Sequence, residues 1–129
     1  MMKHNYLTVM LVSLASIVSC SDASNANNVK KNERYYQTKM CKQLKGKIEH
    51  VLFDKTRVDC LTSEYAIEVD WAKKWAEGIG QALYYAQVTG KKPGVALIAS
   101  TSTQDQRYLK RLKKVADKFN IKIIVIAKE

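Results

Sequence analysis

Proline is almost missing from this chain, and histidine, cysteine and glycine are scarce: one Pro, two His, three Cys and five Gly in 129 residues. A single proline argues against long disordered regions. Two histidines and three cysteines without ligand-type spacing give no indication of a zinc site. No apolar run reaches the roughly 20 residues a membrane-spanning helix needs. Acids are also in the minority, 12 Asp+Glu against 22 Lys+Arg, for a formal net charge of +10. That excess points to anionic partners, nucleic acid or an acidic membrane surface, and equally suits a well-solvated basic surface. What is present is an ordinary apolar fraction of 47%, enough for one domain with a modest core.

The N-terminus has its own pattern. "MMKHNY" carries positive charge ahead of the apolar "LTVMLVSLASIVS", the layout of a secretory signal. "IVSC" (Ile17–Cys20) resembles the bacterial lipoprotein signal, whose cysteine is acylated and becomes the mature N-terminus; cleavage after Ala26 is the ordinary alternative. The polar "SDASNANN" that follows suits a flexible tether. The expectation is a signal and tether over 1–26, a single domain over 27–129, and an exported chain, periplasmic or anchored by lipid on Cys20. A misassigned start would instead leave the domain in the cytoplasm. In an oxidising compartment Cys41 and Cys60 are a possible pair, but they are read first as small buried hydrophobes.

Periodicity gives the order of elements. Asn32 caps a helix through "ERYYQTKMCKQLK", ended by Gly46. "KIEHVLF", "RVDCL" and "EYAIEVD" read as three strands of a meander. Trp71 to about Thr89 is helical, closed by Gly90. "GVALIAS" is a short continuous apolar strand. Thr103 and Gln106 form a capping-box signature before "QDQRYLKRLKKVADKF", and "IKIIVIA" closes the chain as a buried strand. The order α-β-β-β-α-β-α-β predicts a three-layer α/β domain with a mixed sheet.

The acids carry the chemistry. Glu68 and Asp70 stand two apart in a strand, so both face one side while Ile67 and Val69 face the other. An even loop, for example Thr62-Ser63, sets Asp59 against Ala66 and on the same face, with Val58 and Cys60 turned to the core. Glu49 on the adjoining strand joins them. Such an all-oxygen set suits a hard divalent cation, Mg²⁺ or Mn²⁺. In the following helix Trp71, Trp75, Ile79, Ala82 and Ala86 form the expected buried stripe. Lys74, Gly78, Gln81 and Tyr85 lie about 90° away at the helical spacing, which lets Lys74 lean toward the acids and leaves Lys73 solvated. Gly78 and Gly80 signal either a close approach or tight packing on the sheet. Taken singly, each acid has a plainer role; Asp70, for one, suits a helix cap.

This combination resembles the PD-(D/E)XK nuclease superfamily, over roughly Glu33 to Ile98. Asp59 in "RVDCL" matches that family's Asp, Glu68 in "IEVD" its second acid, and Gln81 and Tyr85 in "QALYY" its Q-x-x-x-Y spacing. Glu49 matches the extra upstream Glu of some branches. One departure stands out: Asp70 occupies the position of the family lysine, with Lys74 as the candidate replacement. The resemblance implies a restriction-endonuclease-like core and Mg²⁺-dependent cleavage of nucleic acid, DNA ahead of RNA. Asp59 and Glu68 would hold the ion, with Glu49 a further or water-mediated ligand. Lys74 would orient the attacking water or steady phosphate charge. Gln81 and Tyr85 would position the helix and substrate backbone. Apart from the resemblance, Arg107, Lys110, Arg111, Lys113, Lys114 and Lys118 of the late helix either track phosphates or are simply the solvated side of a helix whose core stripe is Tyr108, Leu112, Val115 and Phe119. The alternative is a non-catalytic module that holds nucleic acid or a protein on the same scaffold.

Overall fold

The computed structural model describes residues 31–129; the signal, the tether, Cys20 and the domain boundary lie outside them. Nine elements follow in chain order: α1 (Glu33–Gln43), β1 (Lys47–Val51), β2 (Arg57–Leu61), β3 (Tyr65–Trp71), a 3₁₀ turn (Ala72–Lys74), α2 (Trp75–Thr89), β4 (Lys92–Ala99), α3 (Thr103–Phe119) and β5 (Lys122–Ala127). The strands form one sheet in the order β1-β2-β3-β4-β5. The β1-β2-β3 part is antiparallel and the β3-β4-β5 part parallel. This is an α/β fold with a mixed sheet and three helices, in the order the periodicity predicts.

Alternation along the central strands sorts the core into two layers. Ile67, Val69, Ala96 and Ile98 pack under α1 with Tyr36, Met40 and Cys41. Val95 and Leu97 pack on the other face against Ala82 of α2 and Leu112 and Ala116 of α3. Local signals begin and end the helices. Asn32 accepts the Tyr35 N–H and Ser102 the Asp105 N–H, while Gly90 and Asn120 close α2 and α3 with positive φ.

Several expectations need correction. The turn between β2 and β3 is Ser63-Glu64, not Thr62-Ser63. The Thr62 hydroxyl accepts the Glu64 and Tyr65 N–H groups, and the Thr62 N–H closes on the Tyr65 carbonyl. Leu61 therefore faces Ala66 and Cys60 faces Ile67, two residues from the expected register but with the same parity. Val58 and Cys60 are both buried, yet Cys60 lies under α1 and Val58 against Tyr85 of α2, because strand alternation breaks at Asp59 between them. Trp71 ends β3 on the α1 side, edge-on to Tyr36, and so drops out of the α2 stripe; Trp75, Ile79, Ala82 and Ala86 keep to the core side, and Gly78 and Tyr85 are buried as well. Gly80 has nothing near it, and a Cβ on Gly78 would make only ordinary contacts. In α3 the buried residues are Leu112 and Ala116, and Phe119 is exposed beside the Asn120 cap.

Cys41 and Cys60 form a disulfide with Cα atoms 5.6 Å apart. The bond ties α1 to β2, and Gly46 makes room for it: a Cβ there would stand 2.5 Å from the Cys60 sulfur. The reading of these cysteines as plain buried hydrophobes is therefore incomplete; they are buried and bonded.

Candidate functional site

The site forms where β2 parts from β3. Backbone pairing covers Cys60–Ile67 and Leu61–Ala66; one step on, the Val69 N–H goes to the Asp59 side chain at 2.8 Å. The carboxylate thus takes a place that a strand carbonyl would otherwise hold. β1 is irregular beside it: Glu49 has φ +54°, in the left-handed region that non-glycine residues seldom occupy. The unpaired Asp59 carbonyl is bonded by Nε2 of Gln37, which also reaches Glu49 Oε1 at 3.0 Å and Asp59 Oδ1 at 3.3 Å. One buried amide from α1 therefore joins both acids.

Glu68 and Asp70 follow on β3 at 5% and 3% exposure, very low for carboxylates. Asp59 joins them from β2. The Glu68 carboxyl is pushed up by burial first and then by Asp59 and Asp70. Asp59 is likewise raised by burial, against the lowering hydrogen bond from Val69. Burial, with Glu33 next, lifts Asp70 to about 6. Glu68 Oε2 is buried with no hydrogen-bond partner at all. Such an orphaned oxygen costs a few kcal/mol unless something electropositive meets it.

Lys74 reaches the cluster as the sequence spacing predicts: its Nζ lies 3.5 Å from Asp70 Oδ1 while the side chain is 44% exposed. Tyr85 is buried beside Val58 and Ala66, with its phenol raised by burial and then by Glu68. It therefore faces the acids rather than solvent. Glu49 sits at the margin, 3.3 Å from both Arg34 and Arg57. Its carboxylate is held below the usual range, first by Gln37. Arg107, Lys110, Arg111 and Lys114 are all exposed on α3. That helix covers β4 and β5, with α2 between it and Asp59.

Two residues escaped the sequence reading. Glu33, in the first turn of α1, is raised first by burial, and its charge in turn helps lift Asp70. Gln37 supplies the amide described above. Glu33, Gln37 and Cys41 recur every four residues and so share one face of α1. A glutamine on a face otherwise holding Tyr36, Met40 and Cys41 was the available signal.

The donor chemistry fits a hard divalent cation: carboxylate oxygens, mutual repulsion, and one oxygen with no partner. Among the described residues, no three acids or other ligands already stand around a common point. Compared with known proteins, the chain matches no family model, no curated protein and no solved structure. The functional reading rests on geometry.

Proposed function

We infer that this chain is a metal-dependent phosphodiesterase of nuclease type, related in design to the PD-(D/E)XK group. The observation that carries the reading is the burial of Glu68 and Asp70 together beside the half-buried Asp59, with Glu68 Oε2 unpartnered. Asp59 and Glu68 would hold Mg²⁺ or Mn²⁺, with Asp70 and Glu33 beside them and Glu49 at the margin. A bound ion supplies Lewis-acid activation of water and charge neutralisation on the phosphate. Lys74, anchored by Asp70, steadies the transferring phosphate and stands in for the motif lysine. Gln37 fixes the rotamers of Asp59 and Glu49. Tyr85 and Gln81 wall the acids from bulk water, which raises the worth of each charge inside. The basic face of α3 would track phosphates at a distance from the chemistry.

The disulfide supports export to an oxidising compartment, in keeping with the lipoprotein-like leader and lipid attachment at Cys20. The test is incubation of the full chain with end-labelled DNA and RNA, with and without Mg²⁺. Cleavage that needs the ion and disappears in Asp59→Ala and Glu68→Gln is the expected result; cleavage unchanged in both variants refutes the assignment.

A second reading has its own support. Lys74 is paired with Asp70 and Glu49 with two arginines, so the scaffold would also serve as a non-catalytic nucleic-acid binder. Affinity that persists in EDTA, falls steeply with salt and comes with no cleavage favours it.

A further inference from the structure

A separate cavity of about 280 Å³ opens at the carboxyl ends of the parallel strands, lined by Trp71, Ala72, Lys73, Ile98, Asp105 and Lys128. Carboxyl ends of parallel strands are where open α/β sheets bind ligands. Trp71 and Lys73 immediately follow Asp70 and precede Lys74, but Trp71 points to the opposite face of the sheet from the acids. The cavity is therefore a neighbour of the acidic site and not a part of it.

Three features say what it would take. Its volume is just under the roughly 300 Å³ at which cavities begin to hold drug-sized ligands, so one small ring system fits. Its aromatic wall is set in place: Tyr36 packs edge-on to Trp71 at 5.7 Å, while Lys128 Nζ stands 5.7 Å from the indole centroid. The charge is net positive, with Lys73 and Lys128 against Asp105. The Asp105 carboxylate is already strapped to the Ser100 N–H and hydroxyl at 2.7 and 2.6 Å. An indole face with an exposed ammonium over it is a stacking platform for a planar base, and the displaced ammonium can swing to an adjoining phosphate.

We propose that this cavity is a nucleotide subsite, in which a base of single-stranded nucleic acid stacks on Trp71 and its phosphate is held by Lys73 and Lys128. The proposal rests on the nucleic-acid reading above and adds a base contact that the acids do not provide. The chemistry is shared by free nucleotides, so the test separates the two sources.

The full chain carrying Trp75→Phe, so that Trp71 is its one indole, is titrated in EDTA with three probes. They are an eight-residue single-stranded oligodeoxynucleotide, its abasic counterpart and deoxycytidine monophosphate. The expected result is quenching of Trp71 by the oligonucleotide, with affinity at least fivefold above the abasic strand. Lys128→Glu, at an exposed position where folding is not at stake, should weaken binding several-fold. Trp71→Leu, read by the anisotropy of an end-labelled strand since no indole remains, should bring the two strands to equal affinity. Tighter binding of the monophosphate than of the oligonucleotide overturns the strand assignment. Equal affinity for base-bearing and abasic strands, with no quenching, overturns the subsite. Cleavage with Mg²⁺ is scored separately. A chain that cuts but ignores bases refutes the subsite alone, and one that stacks bases but never cuts refutes the nuclease reading alone.

Discussion

Glu68 is the residue on which structure and chemistry compete. Its carboxyl is buried among other acids with one oxygen unmet, so the folded chain bears a cost that a neutral side chain would relieve. Glu68→Gln is expected to stabilise the metal-free protein at pH 8 by about 1–3 kcal/mol while abolishing metal-dependent cleavage; thermal melts beside the cleavage assay check both halves. The pH dependence follows with a definite sign. Asp70 rises from 3.8 to about 6 on folding, and Glu68 and Asp59 also rise, so between those values the folded state binds more protons than the unfolded one. The stabilising contribution is complete below about pH 4 and is lost as pH climbs through 6 and beyond. Denaturant titrations at pH 5 and pH 8 should show a larger loss for the wild type than for Glu68→Gln. Cation affinity runs the other way, increasing over the same window as the carboxyls ionise.

At the scale of elements, α1 is held by one covalent bond, and that bond sets where Glu33 and Gln37 stand. Reduction of Cys41–Cys60, or Cys41→Ser, is expected to cost about 2–4 kcal/mol, read as a lower denaturation midpoint. Gly46→Ala should destabilise as well, since its Cβ would overlap both sulfurs. The same change in a Cys60→Ala background should cost much less, and equal costs in the two backgrounds would sink the steric account. Gly80, exposed in a helix with open space around it, should accept alanine with a gain of about 0.5–1 kcal/mol. The elements themselves were legible because each has its own period and caps. On α2, Trp75, Ile79 and Ala82 pack on the core and Ala86 is buried as the period predicts; Trp71 drops out because it belongs to β3, and Gly78 and Tyr85 of the neighbouring stripe are buried as well. The parity of Asp59 was legible, but its register was not, because that depended on the Thr62 hydroxyl. Gln37 leaves a trace, a polar residue on the face of Tyr36, Met40 and Cys41, but its partners and the place of Glu33 come from how α1 lies across the sheet, a long-range property no local pattern encodes.

The molecule as a whole combines a net charge of +10 with a small acidic pit on one sheet and a basic helix along its flank. That contrast suits a polyanion held broadly by lysines and arginines while one phosphate meets the acids. Neutralising Lys110, Arg111 and Lys114 together is expected to weaken DNA binding about tenfold at low salt and to flatten its salt dependence; filter binding across a salt series measures it. The whole account depends on whether the buried carboxylates accept a doubly charged ion. Calorimetric titration of the full chain with Mn²⁺ at pH 8 addresses this most directly. The account predicts saturable binding that is lost in Asp59→Ala and Glu68→Gln. Heats no different from those of the two variants would contradict it.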